Sequence, residues 1–175
     1  MSGTSISNSL ARWNRLSRAE AAKEIMPCCG STAWADGVAG CRPLPDEATL
    51  LAASDKTWRN LAEEDWMEAF RSHPRIGESR VSGAAGVRSM AWSKQEQQNV
   101  TAASNESRND LAEANKNYEA RFNRTFIVCA TGKSAQELLE ILRRRLRNDD
   151  ETEFREAAEQ QRLITHIRLK KWLAQ

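Results

Sequence analysis

Few residues in this chain can move protons or hold ions. There are two histidines, His73 and His166, and four cysteines, Cys28, Cys29, Cys41 and Cys129. Two imidazoles cannot build a three-histidine centre and the cysteines lack paired C-x-x-C spacing, so no metal site is expected. Adjacent Cys28 and Cys29 could bond to each other only with strain, and the thiols read as reduced, in a cytosol-like compartment. Imidazole chemistry therefore falls to one of two positions. His73-Pro74-Arg75-Ile76-Gly77-Glu78 places a ring at a helix exit, beside a proline that fixes the backbone and ahead of a glycine that lets a ligand or another backbone approach. A histidine so placed suits a general acid or base, or it caps the helix C-terminus.

Two further positions carry charge onto apolar faces. Ser93-Lys94-Gln95-Glu96-Gln97 has the S-x-x-E spacing of a capping box, which predicts a helix start. At about 100° per residue Glu96 then lies within about 40° of Val100, on a stripe with Ala103, Leu111, Ala114 and Tyr118, where a carboxylate needs a partner. On the last helix Arg168 lies within about 40° of Phe154, Ala157, Ile164 and Trp172, whereas His166 points about 160° away and reads as a solvated side chain. A buried guanidinium needs either a structural carboxylate or an anionic ligand. The six tryptophans at helical spacing read as core rather than stacking platforms. Arg143-Arg144-Arg145-Leu146-Arg147, interleaved with acids, reads as a solvated face rather than a nucleic-acid patch.

The elements that must hold these residues are helical. Ser17 with Glu20 opens a helix expected to stop near Pro27; Ser31 to about Ala39 is a second; Asp46 caps a third; Glu63 to Arg71 is a fourth that must end before Pro74. SHPRIGESRVSGAAGVRSM is then a long connection. A long helix is expected from about 94 to 120, another from Ser134 to near Asn148, and the last from about Asp150 nearly to the end. FIVCATG is β-branched, but a lone strand has nothing to pair with, which favours a buried extended segment or a helical turn. The sum is an all-α fold of seven to eight helices, taken as a single domain over 1–175.

Composition narrows the partners. The 175 residues carry 26 Lys+Arg against 24 Asp+Glu, a net charge of +2, which implies neither nucleic acid nor a charged surface as partner. No stretch reaches the roughly 18 apolar residues of a membrane span, the first residues lack a signal-peptide core, and the C-terminal LAQ is no peroxisomal address. The expectation is a soluble cytoplasmic protein.

His73-Pro74-Arg75-Ile76-Gly77, Ser93-x-x-Glu96-Gln97, Tyr118-Glu119-x-Arg121-Phe122 leading to Phe126-Ile127-Val128-Cys129-Ala130, and Arg145-Leu146-x-Asn148 occur in an order that resembles the 2-oxo-4-hydroxy-4-carboxy-5-ureidoimidazoline (OHCU) decarboxylase family of urate catabolism. Cys28-Cys29-Gly30-Ser31 and Ala69-Phe70 fit as well, so the likeness covers nearly the whole chain. The resemblance implies a cofactor-free, homodimeric carboxy-lyase that converts the ureidoimidazoline to (S)-allantoin and carbon dioxide. It implies His73 as the catalytic residue, and the mechanism expected on that basis has Glu96 polarise it. Pro74, Ser93, Lys94, Gln95, Glu96, Gln97 and the backbone of Phe126, Ile127, Val128, Cys129 and Ala130 are implied to contact substrate, with Arg168 holding an anionic group. One departure is visible, since the family usually has Phe-Gly where this chain has Phe122-Asn123; Asn tolerates positive φ, so a preserved turn is expected. The competing reading is a helical interaction module in which His, Glu and Arg form a structural network without catalysis.

Overall fold

A computed structural model describes residues 8–77 and 86–175. Glu78, the middle of the long connection after His73 and the first seven residues, on which the reading of the N-terminus partly rests, lie outside the described residues. Among the described residues every regular element is an α-helix. They are α1 (Asn8–Trp13), α2 (Arg18–Cys29), α3 (Thr32–Gly40), α4 (Glu47–Arg59), α5 (Glu63–Arg71), α6 (Val87–Glu96), α7 (Gln98–Thr101), α8 (Asn105–Phe122), α9 (Ala135–Arg145) and α10 (Asp150–Leu173). None is long and apolar enough to cross a membrane.

The chain divides into two compact units, one running up to Ala69 and including Arg162–Gln175, the other Phe70–Gln161. In the first, Leu10, Trp13, Ile25, Trp34, Leu50, Leu169 and Trp172 are buried, with Trp13 edge-on to Trp172 at 5.7 Å. Buried indoles need an acceptor. Trp13 donates to the Ala21 carbonyl at 2.9 Å and Trp34 to the Ser54 hydroxyl at 3.1 Å. Ser17 and Glu20 form the expected capping box, and Ser31 and Asp46 cap α3 and α4. Pro27 does not end α2. It sits in the last turn, where its missing N–H forfeits one bond, and the helix runs two residues beyond Pro27 and closes on Gly30, at φ 86° with its amide donating to Met26 O.

In the second unit, Ile76, Val100, Leu111, Tyr118, Phe122, Phe126, Val128, Leu138 and Leu142 share one core, and α8 packs on α9. Ser134 and Glu137 form the expected capping box of α9. The helix expected from 94 to 120 is instead three. Val87 begins α6, so Ser93 lies inside a helix and is not its N-cap, Gln97 closes α6, and Ser104 is the true N-cap of α8, accepting from the Ser107 amide. The S-x-x-E pattern misled because S-x-x-S at 104 offers the same cap geometry and begins the run with Leu111, Ala114, Tyr118 and Phe122 on one face. The stripe drawn through Glu96 and Leu111 is broken by the intervening turn.

Residues 126–130 belong to no helix or strand, yet Phe126, Ile127, Val128, Cys129 and Ala130 are all at most 8% exposed. A buried segment must still satisfy its peptide groups. Side chains supply much of what a neighbouring strand would: Arg145 Nη1 donates to Ile127 O at 2.6 Å, the Cys129 amide donates to Gln160 Oε1 at 3.0 Å, and Lys133 Nζ donates to Cys129 O at 2.7 Å.

Candidate active site

His73 leaves the end of α5, its amide donating to Phe70 O at 3.2 Å, with the ring half-buried and Nε2 screened from solvent. Three side chains hold the loop that follows. The Arg75 guanidinium forks onto Glu119 of α8, Nε to Oε1 at 2.6 Å and Nη2 to Oε2 at 2.7 Å. Asn115, one turn earlier on α8, donates to the buried carbonyl of Ile76 at 3.0 Å. Gly77, at φ 86° where a side chain is strained, donates its amide to Gln97 Oε1 at 2.9 Å. The loop carrying the imidazole is thereby tied to the end of the helix carrying Glu96.

On α6, Ser93 is buried, Glu96 and Gln97 are half-buried, and Lys94 and Gln95 are exposed. Spacings of three and four residues put Ser93, Glu96 and Gln97 on one face, away from Lys94. Asn99 in α7 reaches Lys133 O at 3.4 Å, and Lys133 grips the end of the 126–130 segment through Cys129 O and through its own amide to Ala130 O at 3.0 Å. The segments at 73–77, 93–97 and 126–130 thus belong to one unit and are cross-linked within it.

Arg168 belongs to the other unit. It is fully buried on α10, as its helical position predicts, with Nη1 3.4 Å from Pro27 O. His166 departs from expectation. Rather than standing in solvent it places Nε2 2.6 Å from Asp55 Oδ1, and Arg162 approaches the other carboxylate oxygen at 3.2 Å. One half-buried carboxylate on α4 collects both side chains.

The family model for OHCU decarboxylase matches residues 14–170. The chain belongs to the OHCU decarboxylase family. It is 33% identical over 148 residues to the uric acid degradation bifunctional protein TTL of Arabidopsis thaliana, covering 82% of this chain and 44% of that one. With the uric acid degradation bifunctional protein of Bacillus sp. (strain TB-90) it shares 24% identity over 130 residues, 73% of this chain and 24% of that one. The chain therefore spans less than half the length of the curated relatives it matches. A crystal structure of an OHCU decarboxylase in the presence of (S)-allantoin superposes with a TM-score of 0.75 at 30% identity, over 87% of this chain and 98% of that one.

One group in this OHCU decarboxylase family member escaped the sequence reading. Arg145, grouped with a solvated basic run, is 1% exposed, while Arg143, Arg144 and Arg147 are exposed. It meets Glu153 of α10, which is fully buried and also takes the Tyr118 hydroxyl at 2.5 Å and the Asn148 amide at 2.9 Å. The signal lay in the spacing: Arg145 follows Leu138 by seven and Leu142 by three, and Glu153 precedes Ala157 by four, so both acid and base sit on apolar faces.

Proposed function

We propose that this chain decarboxylates the ureidoimidazoline of urate catabolism to (S)-allantoin, without a cofactor. The observation that carries the reading is the Gln97–Gly77 hydrogen bond, which ties the His73 loop to the Glu96 helix within one unit. The substrate is its own electron sink. The bond between the ring carbon and its carboxylate breaks, carbon dioxide leaves, and the electron pair enters the adjacent C=N unit, whose nitrogen takes up a proton to give a neutral enol. Protonation at the ureido-bearing carbon, with loss of the hydroxyl proton, then yields allantoin. His73, polarised by Glu96, engages the hydroxyl or delivers the proton to one face, which sets the handedness. Backbone groups of 126–130 bind ring or ureido amides, and Ser93 to Gln97 with Pro74 complete the contacts. Arg168 holds an anionic group; a fully buried guanidinium is suited to a charged partner.

The test follows chiral allantoin by circular dichroism from urate with the upstream enzymes. Adding the protein is expected to raise the rate and fix the handedness, His73→Asn to abolish both while remaining folded, and Arg168→Ala to raise KM and lower the melting temperature. No effect of the wild-type protein on rate or handedness sinks the reading. For the family-implied homodimer, light scattering is expected to give about twice the chain mass of 19.7 kDa, and the monomer mass would rule it out.

A further inference from the structure

The segment expected to face the substrate with its backbone is fixed from behind by a closed set of buried polar groups. Glu153 takes four donors: Arg145 Nε at 2.9 Å, Arg145 Nη2 at 2.5 Å, the Tyr118 hydroxyl at 2.5 Å and Asn148 Nδ2 at 2.9 Å. A buried carboxylate is tolerated when so satisfied, and its removal leaves the opposing cation stranded. The guanidinium has a third nitrogen, and this one donates at 2.6 Å to the carbonyl of Ile127. Its Cζ also lies 4.7 Å from the centroid of the Phe126 ring, which meets the Tyr118 ring edge-on at 5.1 Å. The network thus holds one side chain and the next carbonyl of the same segment.

We propose that Arg145, oriented by Glu153, Tyr118 and Asn148, is a positioning residue that sets the peptide planes of 127–130 for substrate binding; this rests on the functional reading given above. The geometry requires arginine. Two nitrogens are spent on Glu153 and the third is left pointing along a fixed fork at Ile127, which a lysine, a single point of charge, cannot reproduce. Among the described residues no strand lies beside the segment to set the plane of that carbonyl. The hydrogen bonds at Cys129 and Ala130 lie on the far side of Val128.

Arg145→Lys, Glu153→Gln and Tyr118→Phe separate this role from plain stability. Contacts made alike to substrate and transition state appear in KM, so Arg145→Lys is expected to raise KM by about tenfold with kcat within about threefold. The pH profile of kcat should keep its shape, because His73 is untouched. Tyr118→Phe keeps the ring and removes one of four donors, and is expected to raise KM by about two- to fivefold while near-ultraviolet circular dichroism stays native. Folded Arg145→Lys with wild-type KM overturns the proposal. Should Arg145→Lys and Glu153→Gln fail to fold, a wild-type KM in Tyr118→Phe overturns it equally, leaving the network a stabilising one. A wild-type protein that does not hasten substrate decay sinks the functional reading and this one together; an active wild type with unmoved variants sinks this one alone.

Discussion

Asp55 gives His166 a partner that no position on a helical wheel could reveal, because the carboxylate comes from 111 residues away in sequence. His73, Glu96 and Arg168 could be singled out as candidates for the opposite reason. Their oddity is local: a ring trapped before proline, an acid in a capping pattern, and a cation in an apolar stripe, the last of which the fold buries. Arg145 was equally odd but hidden in a run of like charges, and only its burial separates it from its neighbours. Cys29 supports a prediction at this scale. Burial pushes its thiol from 9.0 up to about 12, against the pull of hydrogen bonds with Thr165 and Ser31. A folded value above the unfolded one means the folded chain holds the proton more tightly. That stabilisation is full below about pH 9 and is lost as pH rises toward 12. Melting temperatures of Cys29→Ala, lower throughout from lost packing, are expected to fall less steeply than the parent's above pH 9. Parallel curves would show that the thiol does not contribute.

Helices with caps written within four residues were the readable elements: α2, α3, α4 and α9 start where Ser17, Ser31, Asp46 and Ser134 say they do. The α6–α8 region was not, because two cap patterns, at Ser93 and Ser104, compete in sequence, and choosing between them takes the tertiary packing of Val100 beside Ile76. The end of α8 was legible. Asn123 takes φ 51° and ψ 34°, its amide closing on Glu119 O at 2.8 Å, so the turn survives the exchange of glycine for asparagine. Left-handed backbone costs a β-branched residue roughly 1–2 kcal/mol. Asn123→Val is accordingly expected to destabilise by about that much, and Asn123→Gly to be neutral or slightly stabilising. Chemical denaturation measures both, and equal stabilities for Val and Gly would contradict the left-handed assignment. The cap adjoins the aromatic cluster, since Phe122 and Phe126 flank this turn and both rings lie against Tyr118.

At the scale of the molecule charge is balanced: the sequence carries a net +2, and surface acids and bases pair, as Arg18 does with Asp36 and Arg155 with Glu151. The all-helical class was legible from periodicity and caps alone. Both units could not be drawn from sequence, because α10 gives Asp150–Gln161 to one and Arg162–Leu173 to the other without any break in its pattern. Tyr118 gives the whole chain an optical signature. It is the sole tyrosine of the sequence, and burial together with its bond to Glu153 raises its phenol well above the ordinary 10.0. The tyrosinate absorption band should therefore stay dark through the usual phenol range and rise only when alkali unfolds the chain, in one step with loss of helical dichroism. A band that rises ahead of unfolding would report that the phenol had already left its acid, so one chromophore reads the integrity of the clamp without any label.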